Sequence, residues 1–201
     1  MPYPRELLLA STSPRRGQLL DQIGIPYQTA PHGIDEIRLR DESPQNFVIR
    51  MSREKARSAI QADGPGRRLV LAADTAVVSG AYLMGKPAGR EEALAMLKQL
   101  SGSEHQVYSA VAVSDGARME TALSATRVWF RSISEAEMAA YWATGEPEGK
   151  AGAYGIQGYG SVFIAKLKGS YSGVMGLPLF ETVTLLRDFG LAPAWMRRLS
   201  T

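Results

Sequence analysis

Leu7-Leu8-Leu9-Ala10-Ser11-Thr12-Ser13-Pro14-Arg15-Arg16 decides how this 201-residue chain folds. An apolar run passes directly into small hydroxylated residues, a proline and two arginines. Ser13 suits a helix N-cap, because its hydroxyl can accept from an unpaired backbone N–H. Pro14 suits the first helical position, where no N–H is needed. Leu19, Leu20 and Ile23 then recur at helical spacing, and Gly24 closes the helix. The stretch predicts strand, tight turn and helix, with Arg15 and Arg16 in the first helical turn. Cations there oppose the helix dipole unless an anion sits among them. The helix N-terminus, the hydroxyls of Ser11 and Ser13 and the two guanidiniums make a candidate phosphate cradle. Two solvated arginines on a surface helix are the competing reading.

Working outward, composition narrows the classes. A hydrophobic content of 45 % with 21 % charged residues is that of a globular protein with an ample core. A net charge of +3, spread along the chain, favours a small anionic ligand at least as much as nucleic acid. The chain has no cysteine, which removes disulfides, thiolate metal sites and cysteine nucleophiles together. No apolar run approaches the roughly 18 residues of a membrane span. The N-terminus lacks the charged-then-apolar order of a signal peptide. A cytoplasmic protein without membrane contact is expected.

Downstream, a short extended segment from Ile25 leads to Asp35 and Glu36, carboxylates of the kind that hold Mg²⁺ in phosphate chemistry. His32 has no histidine or cysteine partner nearby, so a metal role is not assigned to it. Ser43-Pro44 opens a helix over 44–61, with Phe47, Met51, Lys55 and Ser58 along one side. Arg50, Arg53, Glu54 and Arg57 suit its solvated side. Lys55 thus lies on a mostly apolar face, aimed inward or snorkelling. After the Asp63-Gly64-Pro65-Gly66 loop, Leu69 to Val78 is an almost continuous apolar run, which suits a strand buried on both faces. Asp74 interrupts it. A carboxylate there is costly unless paired, hydrogen-bonded or metal-bound. Ser79-Gly80 predicts a hairpin back through Tyr82-Leu83-Met84, and Gly85-Lys86-Pro87 follows with a lysine.

The second half alternates scaffold with one unusual region. Arg90 to Leu100 predicts a helix with Ala93, Leu94, Leu97 and Leu100 inward. Strands over 105–114 and 118–131 join at Asp115-Gly116, and Ser134-Glu135-Ala136-Glu137 is a capping box for a helix through Ala143. Lys150 to Gly160 holds four glycines in eleven residues, which signals close backbone approach or a mobile loop. Gln157 lies within it. A strand over 161–168, a last amphipathic helix from Pro178 with Leu179, Val183 and Leu186 inward, and a basic tail from Pro193 complete the chain. The order of elements predicts an α/β class, a mixed sheet flanked by helices.

Ser11-Thr12-Ser13-Pro14-Arg15-Arg16 resembles the S-x-S-P-R-R opening of the Maf family of nucleoside triphosphate pyrophosphatases. The resemblance continues through Arg53-Glu54-Lys55-Ala56, Ala73-Asp74-Thr75, Gly85-Lys86-Pro87 and Ala151-Gly152-Ala153-Tyr154-Gly155-Ile156-Gln157-Gly158. It implies an inosine-triphosphatase-like fold of the Maf/Ham1 type, with two lobes around a central cleft in one domain spanning the chain. It also implies a homodimer that uses Mg²⁺ or Mn²⁺ to hydrolyse a nucleoside triphosphate to the monophosphate and pyrophosphate. The Ala-Tyr-Gly-Ile-Gln segment resembles the branch acting on dTTP and UTP; a sister branch that prefers 7-methyl-GTP carries a glutamate in that loop. In the dTTP/UTP branch the positions matching Arg15, Thr75 and Gln157 go with substrate choice, and that matching Asp74 is the proton acceptor.

The expected site then comprises Asp74, Lys55 and Lys86 as catalytic residues. Ser11, Ser13, Arg15, Arg16, Thr75 and Gln157 are expected to bind substrate, and Glu36 and Asp74 to hold metal. The residues alone do not divide the roles of base and metal ligand between Glu36 and Asp74; the resemblance makes Asp74 the base. The competing functions are a purine-type pyrophosphatase acting on ITP or 7-methyl-GTP, and a nucleotide-binding regulator of septum formation.

Overall fold

The computed structural model describes residues 6–30, 34–64 and 68–197. The expectations for His32, for Pro65-Gly66 and for the tail beyond Arg197 lie outside the described residues. β1 (Leu7–Ala10) is buried along its whole length, and the chain turns at Ser11 into α1 (Pro14–Gln22). Ser13 stands at the N-cap with Pro14 next, as predicted, but its hydroxyl caps no helical N–H. The hydroxyl that shapes the turn is that of Ser11, whose Oγ accepts from the Ser13 N–H at 3.1 Å. β2 (Gln28–Ala30) follows, then α2 (Pro44–Asp63), where the Ser43 hydroxyl does cap, accepting from the Asn46 N–H at 3.2 Å. The buried face of α2 carries Phe47, Val48, Met51, Ser52, Lys55, Ala56 and Ala59, so Lys55 points inward with its apolar neighbours.

β3 (Leu69–Ser79) is the predicted buried strand, with only Thr75 partly exposed. β4 (Tyr82–Met84) returns antiparallel beside it, with Ser79 opposite Tyr82. α3 (Arg90–Leu100) buries Ala93, Met96, Leu97 and Leu100. Leu94, expected inward, is only partly buried and packs at the edge of that core. β5 (Glu104–Ser114) and β6 (Met119–Phe130) join through Asp115–Arg118, where the Asp115 carboxylate accepts from the N–H groups of Ala117 and Arg118. α4 (Glu135–Ala143) starts on the predicted capping box, with both reciprocal bonds formed between Ser134 and Glu137.

The C-terminal third departs from the sequence reading. The strand expected over 161–168 starts only at β7 (Ile164–Lys168), and Tyr159–Phe163 is a 3₁₀ turn. The amides of Tyr159 and Gly160 turn onto the Glu146 carboxylate, which draws the chain out of extended form there. α5 (Tyr171–Met175) occupies a stretch to which the sequence assigns no element. α6 (Leu179–Asp188) begins after Pro178 and buries Leu186 as predicted, but with it Thr182 and Leu185 in place of Leu179 and Val183, which are only partly buried. Thr182 can be buried because its hydroxyl donates to the Pro178 carbonyl at 2.7 Å. α7 (Ala194–Arg197) lies within the tail.

Among the described residues the strand order is β2-β1-β3-β5-β6-β7, with β4 on β3. β1 runs parallel to both β2 and β3, whereas β4 on β3 and β7 on β6 are antiparallel. The sheet is mixed and flanked by helices, the predicted α/β class. The chain divides into two compact units. The first comprises the described residues up to Asp74, Ser109–Leu123 and those from Gly176 on; the second comprises Thr75–Tyr108 and Ser124–Met175. In the first, small residues (Ala10, Ala56, Ala59, Ala72, Ala112) bring α2 close to β1 and β3. The second has a core of large side chains, among them Leu97, Leu100, Phe130, Tyr154 and Phe163. Among the described residues no helix is long and apolar enough to cross a membrane.

Candidate active site

In the first unit, β1 and β3 are parallel with Ala10 opposite Ala72, so the carboxyl end of β1 at Ser11 lies beside the stretch where β3 runs on through Asp74. Open α/β sheets bind ligands outside the carboxyl ends of such strands. Asp74 is only 6 % exposed. The Lys55 ammonium, 2 % exposed, reaches it from α2 with Nζ 2.5 Å from Oδ1, and stands 2.6 Å from Oε1 of Glu36. One buried lysine therefore holds two carboxylates side by side. Burial pushes the Asp74 carboxyl above the usual aspartate range and Glu36 adds to this, while Lys55 and Arg16 pull the other way. The result is a carboxylate with more proton affinity than an exposed aspartate, in contact with an ammonium.

The two arginines of α1 behave differently from each other. Arg16 is buried: its Nε donates to the Gly176 carbonyl at 2.9 Å and its Nη1 to Ser11 Oγ at 3.1 Å. Burial lowers its pKa, offset in part by Asp74 and Glu36. Arg16 thus fastens the turn while adding positive charge beside the two acids. Arg15 stays partly exposed at the helix N-terminus, its pKa also lowered by burial. Ser13 is partly exposed beside it. The structure brings Ser11 and Arg16 into contact, and joins Lys55, Asp74 and Glu36 in a second set.

The second unit holds Thr75, Lys86 and Gln157. Thr75 is partly buried, next along β3 from Asp74. Lys86 is exposed just after β4, and its neighbour Gly85 accepts at its carbonyl from the Gly152 N–H at 3.1 Å. Two separate sequence motifs, Gly85-Lys86-Pro87 and Ala151 to Gly158, are joined by that bond. Gly152 has φ +69°, and a Cβ there would stand 3.0 Å from Val77, so any side chain is strained there and glycine is favoured. Ala153 follows at φ +58°, a left-handed conformation that costs an alanine about 1–2 kcal/mol. Gln157 is exposed, while Tyr154, Gly155 and Ile156 just before it are buried.

Two groups near that loop escaped the sequence reading. Glu146 accepts from the Tyr141 hydroxyl and from the amides of Tyr159 and Gly160. The available signal was an acid just upstream of a glycine-dense stretch whose amides need acceptors. His105 is 1 % exposed, with Nε2 2.8 Å from the Tyr154 hydroxyl and its ring edge-on to Phe130 and Tyr154. Burial lowers its pKa to about 4, so it packs as a neutral ring beneath the loop.

For a divalent metal the donor chemistry fits on a narrow basis. Glu36 and Asp74 supply hard oxygen donors, and among the described residues there is no group of three or more His, Cys, Asp or Glu side chains that could form a protein cage. Mg²⁺ is commonly held by one or two carboxylates, with phosphate oxygens and water completing its shell.

The fold is that of an α/β protein with a mixed sheet, in which buried acids and cations gather beside the carboxyl end of β1. The family described as "Maf-like protein" matches residues 6–189, and the chain belongs to it. A protein of Alkalilimnicola ehrlichii is 51 % identical over 191 residues, 93 % of this chain and 94 % of that one. One from Pseudoalteromonas atlantica is 46 % identical, covering 92 % and 98 %. One from Methylococcus capsulatus is 48 % identical, covering 94 % and 93 %. All three are named dTTP/UTP pyrophosphatase.

Proposed function

We infer that this protein is a nucleoside triphosphate pyrophosphatase that hydrolyses dTTP and UTP to the monophosphate and pyrophosphate. Family membership across residues 6–189 and relatives of that name at 46–51 % identity support the reading. The observation that carries it is the buried Lys55 between Asp74 and Glu36, an arrangement expensive to fold and suited to deprotonating water.

In the reaction, Asp74 takes a proton from water as the water oxygen bonds to the α-phosphorus. The bridging oxygen between the α- and β-phosphorus leaves with its electron pair, as pyrophosphate. A raised pKa makes Asp74 a better base than a solvated aspartate. Lys55 keeps Asp74 oriented and Glu36 beside it. Arg15, Arg16 and Lys86 neutralise the triphosphate, with Ser11, Ser13 and the amides of the α1 N-terminus in support. Thr75 and Gln157 serve substrate choice: the Gln157 amide can accept from the N3–H of uracil or thymine and donate to a flanking carbonyl. Glu36, with Asp74, would hold Mg²⁺ or Mn²⁺, which neutralises phosphate charge when bound.

The protein is assigned to the cytoplasm, where nucleotide pools lie, as a homodimer that binds neither nucleic acid nor membrane. The test is a panel of UTP, dTTP, ITP, GTP and 7-methyl-GTP with Mg²⁺ or Mn²⁺, scored for pyrophosphate against phosphate, with light scattering for mass. Pyrophosphate from UTP and dTTP is expected. Preference for ITP or 7-methyl-GTP would overturn the substrate, and binding without turnover would point to a regulator.

A further inference from the structure

The loop that carries Gln157 has few side chains of its own to hold it. What holds it is Glu146, on the turn after α4. Oε1 of Glu146 accepts from the Tyr141 hydroxyl at 2.7 Å and from the Gly160 amide at 2.9 Å, and Oε2 accepts from the Tyr159 amide at 2.8 Å. The Tyr141 oxygen in turn accepts from the Gly155 amide at 3.1 Å. Both ends of the 155–160 turn therefore hang on one carboxylate and one phenol. Across its middle, the Gly158 amide donates to the Gly155 carbonyl at 3.3 Å. A Cβ on Gly158 would stand 2.0 Å from Oε2 of Glu146, so the turn closes over the carboxylate only because residue 158 is glycine. Gln157 is exposed on this turn, as is Tyr159, and stands one step from the Gly158 contact with Ile156 buried behind it.

We propose that Glu146 is the positioning residue of the base-reading loop: by gathering the amides of Tyr159 and Gly160 and, through Tyr141, of Gly155, it fixes where the Gln157 amide stands and so sets discrimination between pyrimidine and purine nucleotides. The proposal rests on the reading of Gln157 as the residue that meets the base. A paired donor and acceptor discriminate only when held to about 0.5 Å and 10–20°. A turn rich in glycine does not hold itself to that tolerance; the carboxylate supplies it. A glutamine at position 146 has one acceptor oxygen and sets an NH₂ donor against at least one of the donors that now point at Glu146. The ionised state is the one in use. Burial favours the neutral acid, yet the Gly160 and Tyr159 amides and the Tyr141 hydroxyl hold this carboxyl below the usual glutamate range.

The full-length protein, Glu146→Gln, Tyr141→Phe and Gln157→Ala are compared by kcat/KM with UTP, dTTP and GTP. Amide hydrogen exchange is followed at Gly155, Tyr159 and Gly160 and, as a control, along α2. In Glu146→Gln the UTP-to-GTP ratio is expected to fall about 10-fold, mainly through KM. Exchange at Tyr159 and Gly160 should quicken while α2 is unchanged. Tyr141→Phe, which keeps the carboxylate, should lose less in the same direction, and it carries the test if Glu146→Gln does not fold. An unchanged ratio with all nucleotides slowed alike makes Glu146 a structural staple and overturns the proposal. If Gln157→Ala itself leaves the ratio intact, the base reading fails first and the proposal with it. A ratio lost in Gln157→Ala but kept in Glu146→Gln and Tyr141→Phe overturns the Glu146 proposal alone.

Discussion

Asp74 and Glu146 are both carboxylates withdrawn from water, and their proton affinities are displaced in opposite directions. Burial lifts Asp74 above the ordinary range, and the one lysine on it is shared with Glu36. Glu146 is less buried and collects three short hydrogen bonds from two amides and a phenol, which outweigh burial and lower it. The difference lies in the donors, although the nearby Lys150 charge also helps to lower Glu146. A shared ammonium leaves an acid able to take a proton; dedicated neutral donors leave a fixed anion that braces backbone. One unit holds a carboxylate with raised proton affinity, and the other holds a carboxylate that gathers backbone amides.

Removing the shared cation is the hardest test of that contrast. Lys55→Met leaves two acids together without the ammonium that bridges them, Arg16 being the remaining cation on them, and breaking a buried pair costs about 3–5 kcal/mol. Urea unfolding at neutral pH should show that loss. Asp74 becomes still harder to ionise, so the folded state gains by protonation as pH falls. The deficit should therefore shrink toward acidic pH, and a constant deficit would mean that the acids were never coupled.

Asp74→Asn keeps size and removes the base. Turnover should fall about 100-fold or more, with cooperative unfolding preserved. In the native protein the acidic limb of kcat/KM should lie above the ordinary aspartate range, and the variant should lack it. Near-normal turnover would take Asp74 out of the mechanism.

On the other side of the contrast, Gly152→Ala forces a methyl toward Val77 at an unfavourable φ. A cost of about 1–3 kcal/mol is expected, together with a raised KM if the Gly85–Gly152 bond positions Lys86. Gln157→Glu should lower UTP and dTTP efficiency at least about 10-fold, because a carboxylate then faces a pyrimidine carbonyl. GTP should lose less. Equal losses for every nucleotide would reduce Gln157 to a brace of its own loop.

The smallest effect is the pH dependence of the brace. Because the folded Glu146 carboxyl is depressed, its contribution to stability is present above the ordinary glutamate range. It is lost as pH falls through the lower folded value. Glu146→Gln should flatten that part of the acid-unfolding curve. An unchanged curve would show that the three hydrogen bonds add nothing to stability.

What could be read in advance follows from how each feature is written in the chain. Asp74 announces itself as a charge inside an apolar strand, and Lys55 as a charge on an apolar helix face; such conflicts are visible in one dimension. The turn at Ser11 to Pro14 is equally local, which is why the position of α1 matches. The choice of Ser11 rather than Ser13 as the engaged hydroxyl is not local, because it depends on Arg16 reaching over the turn to Gly176. Glu146 carries only the weak signal of an acid just upstream of a glycine-dense stretch. Its partners are mostly backbone amides, which every sequence contains, and only the folded path of residues 155–160 shows where they converge. The 3₁₀ turn at Tyr159–Phe163 is a by-product of that convergence, and a strand pattern in Val162, Phe163 and Ile164 could not report it.

The bond from Arg16 to Gly176 also has a consequence for synthesis. The first unit is built from segments near the beginning, middle and end of the chain, with the second unit's segments threaded between them. As a nascent chain lengthens from its N-terminus, the partners within Thr75–Tyr108 and Ser124–Met175 are all made before Gly176 is. The guanidinium that steadies the turn at Ser11 lacks the Gly176 carbonyl as acceptor until then. The unit bearing Asp74 is therefore the last to be completed on the ribosome, although its first strand is among the first residues translated.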